Sequence, residues 1–79
     1  MEYSVKYGLG DVLSIENWNH DEVFTGIVKS IFIREDDACE TCINYEVRSF
    51  NNDLFIDERG DEKFNILGCV GNIHVLKER

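Results

Sequence analysis

This 79-residue chain lacks proline and has few basic residues for its number of acidic ones. It contains no Pro, and eight Lys and Arg face sixteen Asp and Glu, so the formal net charge is −8. Such a surface repels the nucleic-acid backbone and anionic membranes, because binding to either requires cations that neutralise phosphates. We therefore expect no direct binding to nucleic acid or membrane. A basic protein surface is the complementary partner, although the same charge also keeps a small domain soluble.

Long apolar runs are also absent, and so are the features of a secretory signal. No run is long enough for a membrane-spanning helix, and the first residues lack a basic region followed by an apolar stretch. The three cysteines are an odd number, which argues against a secreted disulfide framework and for reduced thiols. We expect a cytoplasmic protein in which residues 1–79 form a single domain.

The residues that are present predict β-structure. Short segments rich in Val, Ile, Phe and Tyr are separated by Gly, Asn and Asp, and no window has the period of a helix. The segment 61–67 is the least regular and is also compatible with a short helical turn. The predicted strands cover residues 11–15, 23–34, 43–49, 54–57, 64–67 and 73–76, with turns at 50–53, 59–61 and 71–72.

The second predicted strand is the longest and changes phase along its length. Alternate residues from 24 to 28 lie on one face, and Ile31 and Ile33 continue the apolar series after two intervening residues. One extra residue moves a strand to the other side of the pleat, so a bulge or strong bend is expected at 29–30. Long bent strands of this kind serve both sides of a small closed barrel.

Three short motifs occur in this order: Gly10-Asp11-Val12, Thr25-Gly26-Ile27-Val28-Lys29-Ser30-Ile31 and Tyr45-Glu46-Val47. Together they resemble small SH3-like barrel proteins, many short members of which come from bacteriophages and prophages. The resemblance covers a little over half of the chain and implies an all-β, SH3-like antiparallel barrel of five to six short strands. The chain continues beyond the usual end of such proteins, which leaves room for an added strand pair or a dimer contact.

Half of the carboxylates lie in two short segments. The first contains Glu35, Asp36, Asp37 and Glu40, and the second spans residues 57–62. Carboxylates at hairpin tips are often only solvated. On a rigid barrel, however, they can imitate a row of phosphates and occupy the basic channel of a nucleic-acid-handling protein.

Trp18 lies in a predicted loop, where it is either a binding anchor or a cap on the barrel. The predicted partner-binding residues are Glu35, Asp36, Asp37, Glu40 and Trp18.

Cys39 and Cys42 form the most conspicuous local motif, a pair of thiols two residues apart. Such a pair supplies half of a zinc site, which Cys69 and a histidine, His74 or His20, would have to complete. No second paired motif is present, so we expect no cofactor, with zinc as the weaker alternative. Cys69 is expected to be a small core residue.

No nucleophile with a positioned base, phosphate loop or paired catalytic carboxylate is evident, so an enzyme is not expected. The sequence predicts a non-enzymatic acidic binding protein. The resemblance implies a phage- or prophage-type accessory protein that binds and inhibits a host or defence protein in a bacterial cell, as a nucleic-acid mimic.

Three alternatives stay open. The first is an oligomeric barrel that sequesters a small nucleotide-like ligand with Lys29, Arg34, Arg48 and Trp18. The others are a small zinc protein and a virion structural component.

Overall fold

The computed structural model describes residues 5–35 and 40–74, and these residues form an antiparallel β-structure. The all-β prediction is confirmed. Within the described residues, no helix has the length and apolar character needed to span a membrane. The five strands are β1 (Asp11–Asn17), β2 (Glu22–Glu35), β3 (Thr41–Ser49), β4 (Asn52–Asp57) and β5 (Phe64–Asn72).

The five strands form one sheet in the order β4-β3-β2-β1-β5. The first four strands follow one another as a meander of hairpins, and β5 returns to pair with β1. The edges of the sheet are therefore β4 and β5. No ladder joins these two strands within the described part of the chain.

β2 bends where the sequence predicts it. Residues 22–27 pair with β1 and residues 27–35 pair with β3, and the register with β3 shifts between Val28 and Ser30. Lys29 is thus an extra residue that changes the face of the strand.

The core lies on one face of the sheet. Tyr45 and Val47 of β3 are fully buried and Ile43 is almost so, which confirms the alternation predicted for this strand. Gly26 of β2 leaves no room for a side chain, because a Cβ built there would overlap Cγ1 of Val47. The core residues are Leu13, Ile15, Val28, Ile43, Tyr45, Val47 and Ile56.

The hydroxyl of Tyr45 holds the C-terminal end of β4 in place. The O–H of Tyr45 donates to the carboxylate of Glu58, just after β4. The Tyr45 oxygen in turn accepts the backbone N–H of Tyr7 at 3.3 Å. Burial and the bond to Glu58 raise the pKa of Tyr45 well above its ordinary value.

A second polar cluster joins the C-terminal end of β5 to the start of β1. The side-chain amide of Asn72 donates to Asp11 at 2.7 Å, and the backbone N–H of Gly8 donates to the other Asp11 oxygen at 2.8 Å. These bonds, that of Gly8 first, lower the pKa of Asp11.

β5 corrects the sequence prediction in two respects. It is a single strand, so Gly71 and Asn72 are not a turn, and Cys69 is exposed and not a core residue. The reason is that the register against β1 shifts twice and leaves Leu67 and Val70 as extra residues. Such bulges break the alternation on which an assignment to the core depends.

The segment after β5 also differs from the prediction. Residues 73–74 are helical instead of extended, and residues 75–76 of the predicted last strand lie outside the described part of the chain. The turn predicted at 59–61 is confirmed: Gly60 has a φ of 93° and its N–H donates to the carbonyl of Asp57 at 2.8 Å.

Candidate protein-binding groove

A groove lies where the two edges of the sheet approach each other. Its larger hollow, of about 520 Å³, lies between residues 53–55 of β4 and residues 61–64 before and at the start of β5. A smaller hollow of about 180 Å³ adjoins it, and Leu54 and Phe64 line both. We call the two hollows together the edge groove.

The floor of the edge groove is apolar and well supported. Leu54 and Phe64 pack against the core cluster, and the Phe64 ring meets that of Phe24 edge-to-face with 6.0 Å between centroids. Asp61 holds Phe64 in place, since its Oδ1 accepts the backbone N–H groups of Lys63 and Phe64 at 2.8 Å each. This is the local turn chemistry that Asp favours.

Carboxylates form most of the rim. Asp53, Asp61 and Glu62 line the larger hollow and Glu22 the smaller, while Lys63 is the only cation that lines either. The rim therefore has a net negative charge next to an apolar floor, which is the complement of a basic and partly apolar partner.

Asp53 keeps its charge because two cations approach it. Arg48 donates to its two oxygens at 3.0 and 3.3 Å, and Lys29 lies 3.5 Å from Oδ1. Hydrogen bonding from Arg48 is the main cause that lowers the pKa of Asp53. Arg48 and Lys29 are thus engaged within the protein.

Two exposed aromatic rings lie at β4, one just before the strand and one within it. Phe50 is 85% exposed in the turn between β3 and β4 and has a φ of 56°, a left-handed conformation that is strained for a bulky residue. Phe55 is 60% exposed, and its ring lies 6.1 Å from that of Phe32 on the face of the sheet opposite the core. Large exposed apolar groups next to a groove are typical of interaction sites.

The structure separates the residues that the sequence predicts for partner binding. Trp18 is half-exposed in the β1–β2 turn, and its backbone N–H donates to the carbonyl of Lys63 at 2.9 Å, which places it beside the edge groove. Glu35 ends β2 and Glu40 precedes β3, at the other end of the long β2. Asp36 and Asp37 lie outside the described residues. The backbone of Trp18 therefore lies beside the groove and not in the acidic loop.

Sequence reasoning missed β4 as part of the site. The signal was Phe55, a large apolar residue between Leu54 and Ile56, which both face the core side. Alternation then places its ring on the outer face, where it lies beside Phe32 and is still 60% exposed.

The cysteines predicted to bind zinc do not lie together, and neither do the residues predicted to bind a nucleotide-like ligand. Cys42 pairs with Arg34 near the tip of the β2–β3 hairpin, whereas Cys69 lies on β5 opposite Leu13. Cys39 lies outside the described residues. Among those that are described, no three His, Cys, Asp or Glu side chains are grouped to hold a metal ion. Likewise Arg34 lies at one end of β2, away from Trp18 at the other.

Searches against protein-family models, curated proteins and solved structures found no significant match. The geometry and charge of the edge groove are therefore the basis on which a function is proposed.

Proposed function

We propose that this protein is a non-enzymatic binding module of the SH3-like barrel type whose partner presents a basic protein surface. The observation that carries the proposal is the edge groove, which combines an apolar floor of Leu54 and Phe64 with a rim of four carboxylates and one lysine. An apolar floor supplies affinity by burial, and the charged rim supplies orientation and attraction at long range.

The distribution of cations supports the same proposal. Lys29 and Arg48 are bound to Asp53, and Arg59 lies 3.8 Å from Asp57. These cations are locally neutralised, so the field of the molecule is that of its excess carboxylates. With a net charge of −8, that field steers a positively charged partner towards the protein.

The more specific form of the proposal comes from the resemblance to phage and prophage proteins. The partner is then a host or defence protein of a bacterial cell, inhibited because the acidic surface takes the place of nucleic acid. The acidic loop that contains Glu35 and Glu40 and the edge groove are two separate surfaces on which this mimicry can rest.

Affinity capture from a bacterial lysate, followed by titration calorimetry with the captured protein, tests the proposal. Two charge reversals form a matched pair: Glu22→Lys with Glu62→Lys in the groove, and Glu35→Lys with Glu40→Lys at the hairpin tip. The groove pair is expected to weaken binding by about tenfold or more, with a smaller dependence on salt, because it removes attraction across the interface.

If the tip pair alone weakens binding, the acidic loop is the interface and the groove is not. A partner whose affinity changes with neither pair and not with salt contradicts the proposal as a whole.

A further inference from the structure

We propose that the edge groove binds an extended, alternately cationic and apolar segment of the partner as an added strand on β4. This rests on the proposed function and specifies how the groove engages its partner.

The backbone hydrogen-bond pattern shows which groups of β4 are open. Glu58 donates its N–H to the carbonyl of Ile43 at 2.8 Å, so these two residues form a hydrogen-bonded pair. Such pairs recur at every second residue of an antiparallel ladder. Ile56 and Leu54 therefore bond to β3, whereas Phe55 and Asp53 direct their N–H and C=O groups away from it.

The open stretch is bounded. The carbonyl of Asp57 already accepts the N–H of Gly60, and β4 begins at Asn52 next to the tight turn. Asp53 and Phe55 thus offer two donors and two acceptors along one line. A segment of about four residues satisfies them as a strand at the usual spacing of about 4.8 Å.

Nothing in β4 itself blocks such pairing. All six of its residues pair in unbroken register with β3, and the chain has no proline. Edges that must not pair are usually protected by bulges, prolines or inward charges. Residues 53–55 line the edge groove, so the added strand would run along β4 at this groove.

The flanking side chains specify the chemistry of the segment. Residues of an added strand alternate between the two faces of the sheet. On the core side they meet Leu54 and Phe64, which favour apolar residues. On the outer face they meet Phe55 and the rim carboxylate Glu62, which favour lysine or arginine by charge and by cation–π contact. Peptide recognition by strand addition uses this division between backbone affinity and side-chain specificity.

The test uses two synthetic peptides and two variants of the full chain. The first peptide is an acetylated, amidated hexapeptide of alternating Lys and Val. The second has the same sequence with every Lys and Val backbone nitrogen methylated, so that no N–H of these residues can bond to β4 in either strand direction. The variants are Phe55→Ala and Phe55→Pro, which both remove the ring, while only the proline removes the N–H that faces the groove.

Strand addition predicts that the unmethylated peptide shifts the amide signals of Asp53, Phe55 and Phe64 in NMR titrations. N-methylation of the peptide is expected to weaken binding by about tenfold, the equivalent of about one hydrogen bond. Phe55→Pro is expected to bind the unmethylated peptide about tenfold more weakly than Phe55→Ala, for the same reason.

Three results decide between the two proposals. Equal affinity for both peptides, or for both variants, overturns strand addition while leaving a groove that attracts cations. Shifts confined to residues outside the groove overturn strand addition as well. If the peptide does not bind at low salt, and if the charge reversals also leave the affinity of the captured partner unchanged, then strand addition and the proposed function are both overturned.

Discussion

The two edges of the sheet are built differently. β4 matches β3 residue for residue, whereas β5 has nine residues against the seven of β1 and absorbs the difference in two bulges. The extra residues, Leu67 and Val70, are exposed at 52% and 64%. Bulges protect an edge by breaking the regular line of donors and acceptors. One edge of this sheet is therefore closed to strand pairing, and the other is left open beside a groove.

Glycine makes the contrast sharper. A Cβ built at Gly68 or at Gly71 would meet no atom within 4 Å, so neither position is glycine for lack of space. Glycine within a strand is typical of bulges. The glycines of β5 thus favour its irregular backbone, and β4 contains no glycine.

The largest expected effect tests whether the backbone N–H groups of β4 point alternately towards β3 and towards the groove. Leu54→Pro removes an N–H that bonds to β3 and should cost about 3 kcal/mol or more in the free energy of unfolding. Phe55→Pro removes an N–H that faces the groove and should cost about 1 kcal/mol more than Phe55→Ala, mainly from backbone restriction. Urea unfolding measures both. Similar losses for the two prolines would mean that the edge is not open as described.

The next effect concerns the hydroxyl that fastens β4. Tyr45→Phe removes the donor to Glu58 and should destabilise the protein by about 1–2 kcal/mol at neutral pH.

The folded-state pKa of Tyr45 is raised, so its stabilisation is present below the unfolded-state pKa of about 10 and is lost as the pH rises above it. The stability gap between wild type and Tyr45→Phe should therefore narrow in alkali, as followed by unfolding at a series of pH values. A constant gap would show that the hydroxyl does not stabilise the strand end through its proton.

The opposite pH dependence is expected at the end of β5. The pKa of Asp11 is lowered, so its stabilisation is present above the unfolded-state value of about 3.9 and is lost as the pH falls through the folded-state pKa. In acid, the amide hydrogens around Asn72 should exchange faster than those of β4. Asp11→Asn should show fast exchange at neutral pH already and little further change in acid.

The smallest effect is a gain. Phe50 is almost fully exposed and has a φ of 56°, so it bears strain without burial in return. Phe50→Gly should raise the free energy of unfolding by about 0.5 kcal/mol. This is the strain energy relieved at the left-handed position minus the extra conformational entropy that glycine loses on folding. A loss of stability would mean that the ring packs in solution. If partner binding also weakens, the strain at this turn serves recognition.

The regular part of the fold was predictable from the sequence because side-chain alternation reports the core face directly. Ile43, Tyr45 and Val47 are buried as their spacing requires, and the extra residue near Lys29 lies where the phase changes.

The strand predicted at 64–67 is the first part of β5, but the continuation of β5 to Asn72 was not predictable from local pattern. Gly71 and Asn72 favour a turn locally, but Asn72 is held in the strand by Asp11, 61 residues away. Which strands become edges is likewise a tertiary property. The acidic segment before β5 could be recognised from the sequence, but its place opposite the open side of β4 could not.

The order of the strands also has a consequence for folding. The pairs β1–β2, β2–β3 and β3–β4 join neighbours along the chain, whereas β1 and β5 meet across most of its length. Contacts between distant residues carry the larger loop-closure entropy and usually form late. On the ribosome, the meander therefore emerges with the β1 edge still bare. A chain truncated before β5 would keep two open edges and become prone to aggregation.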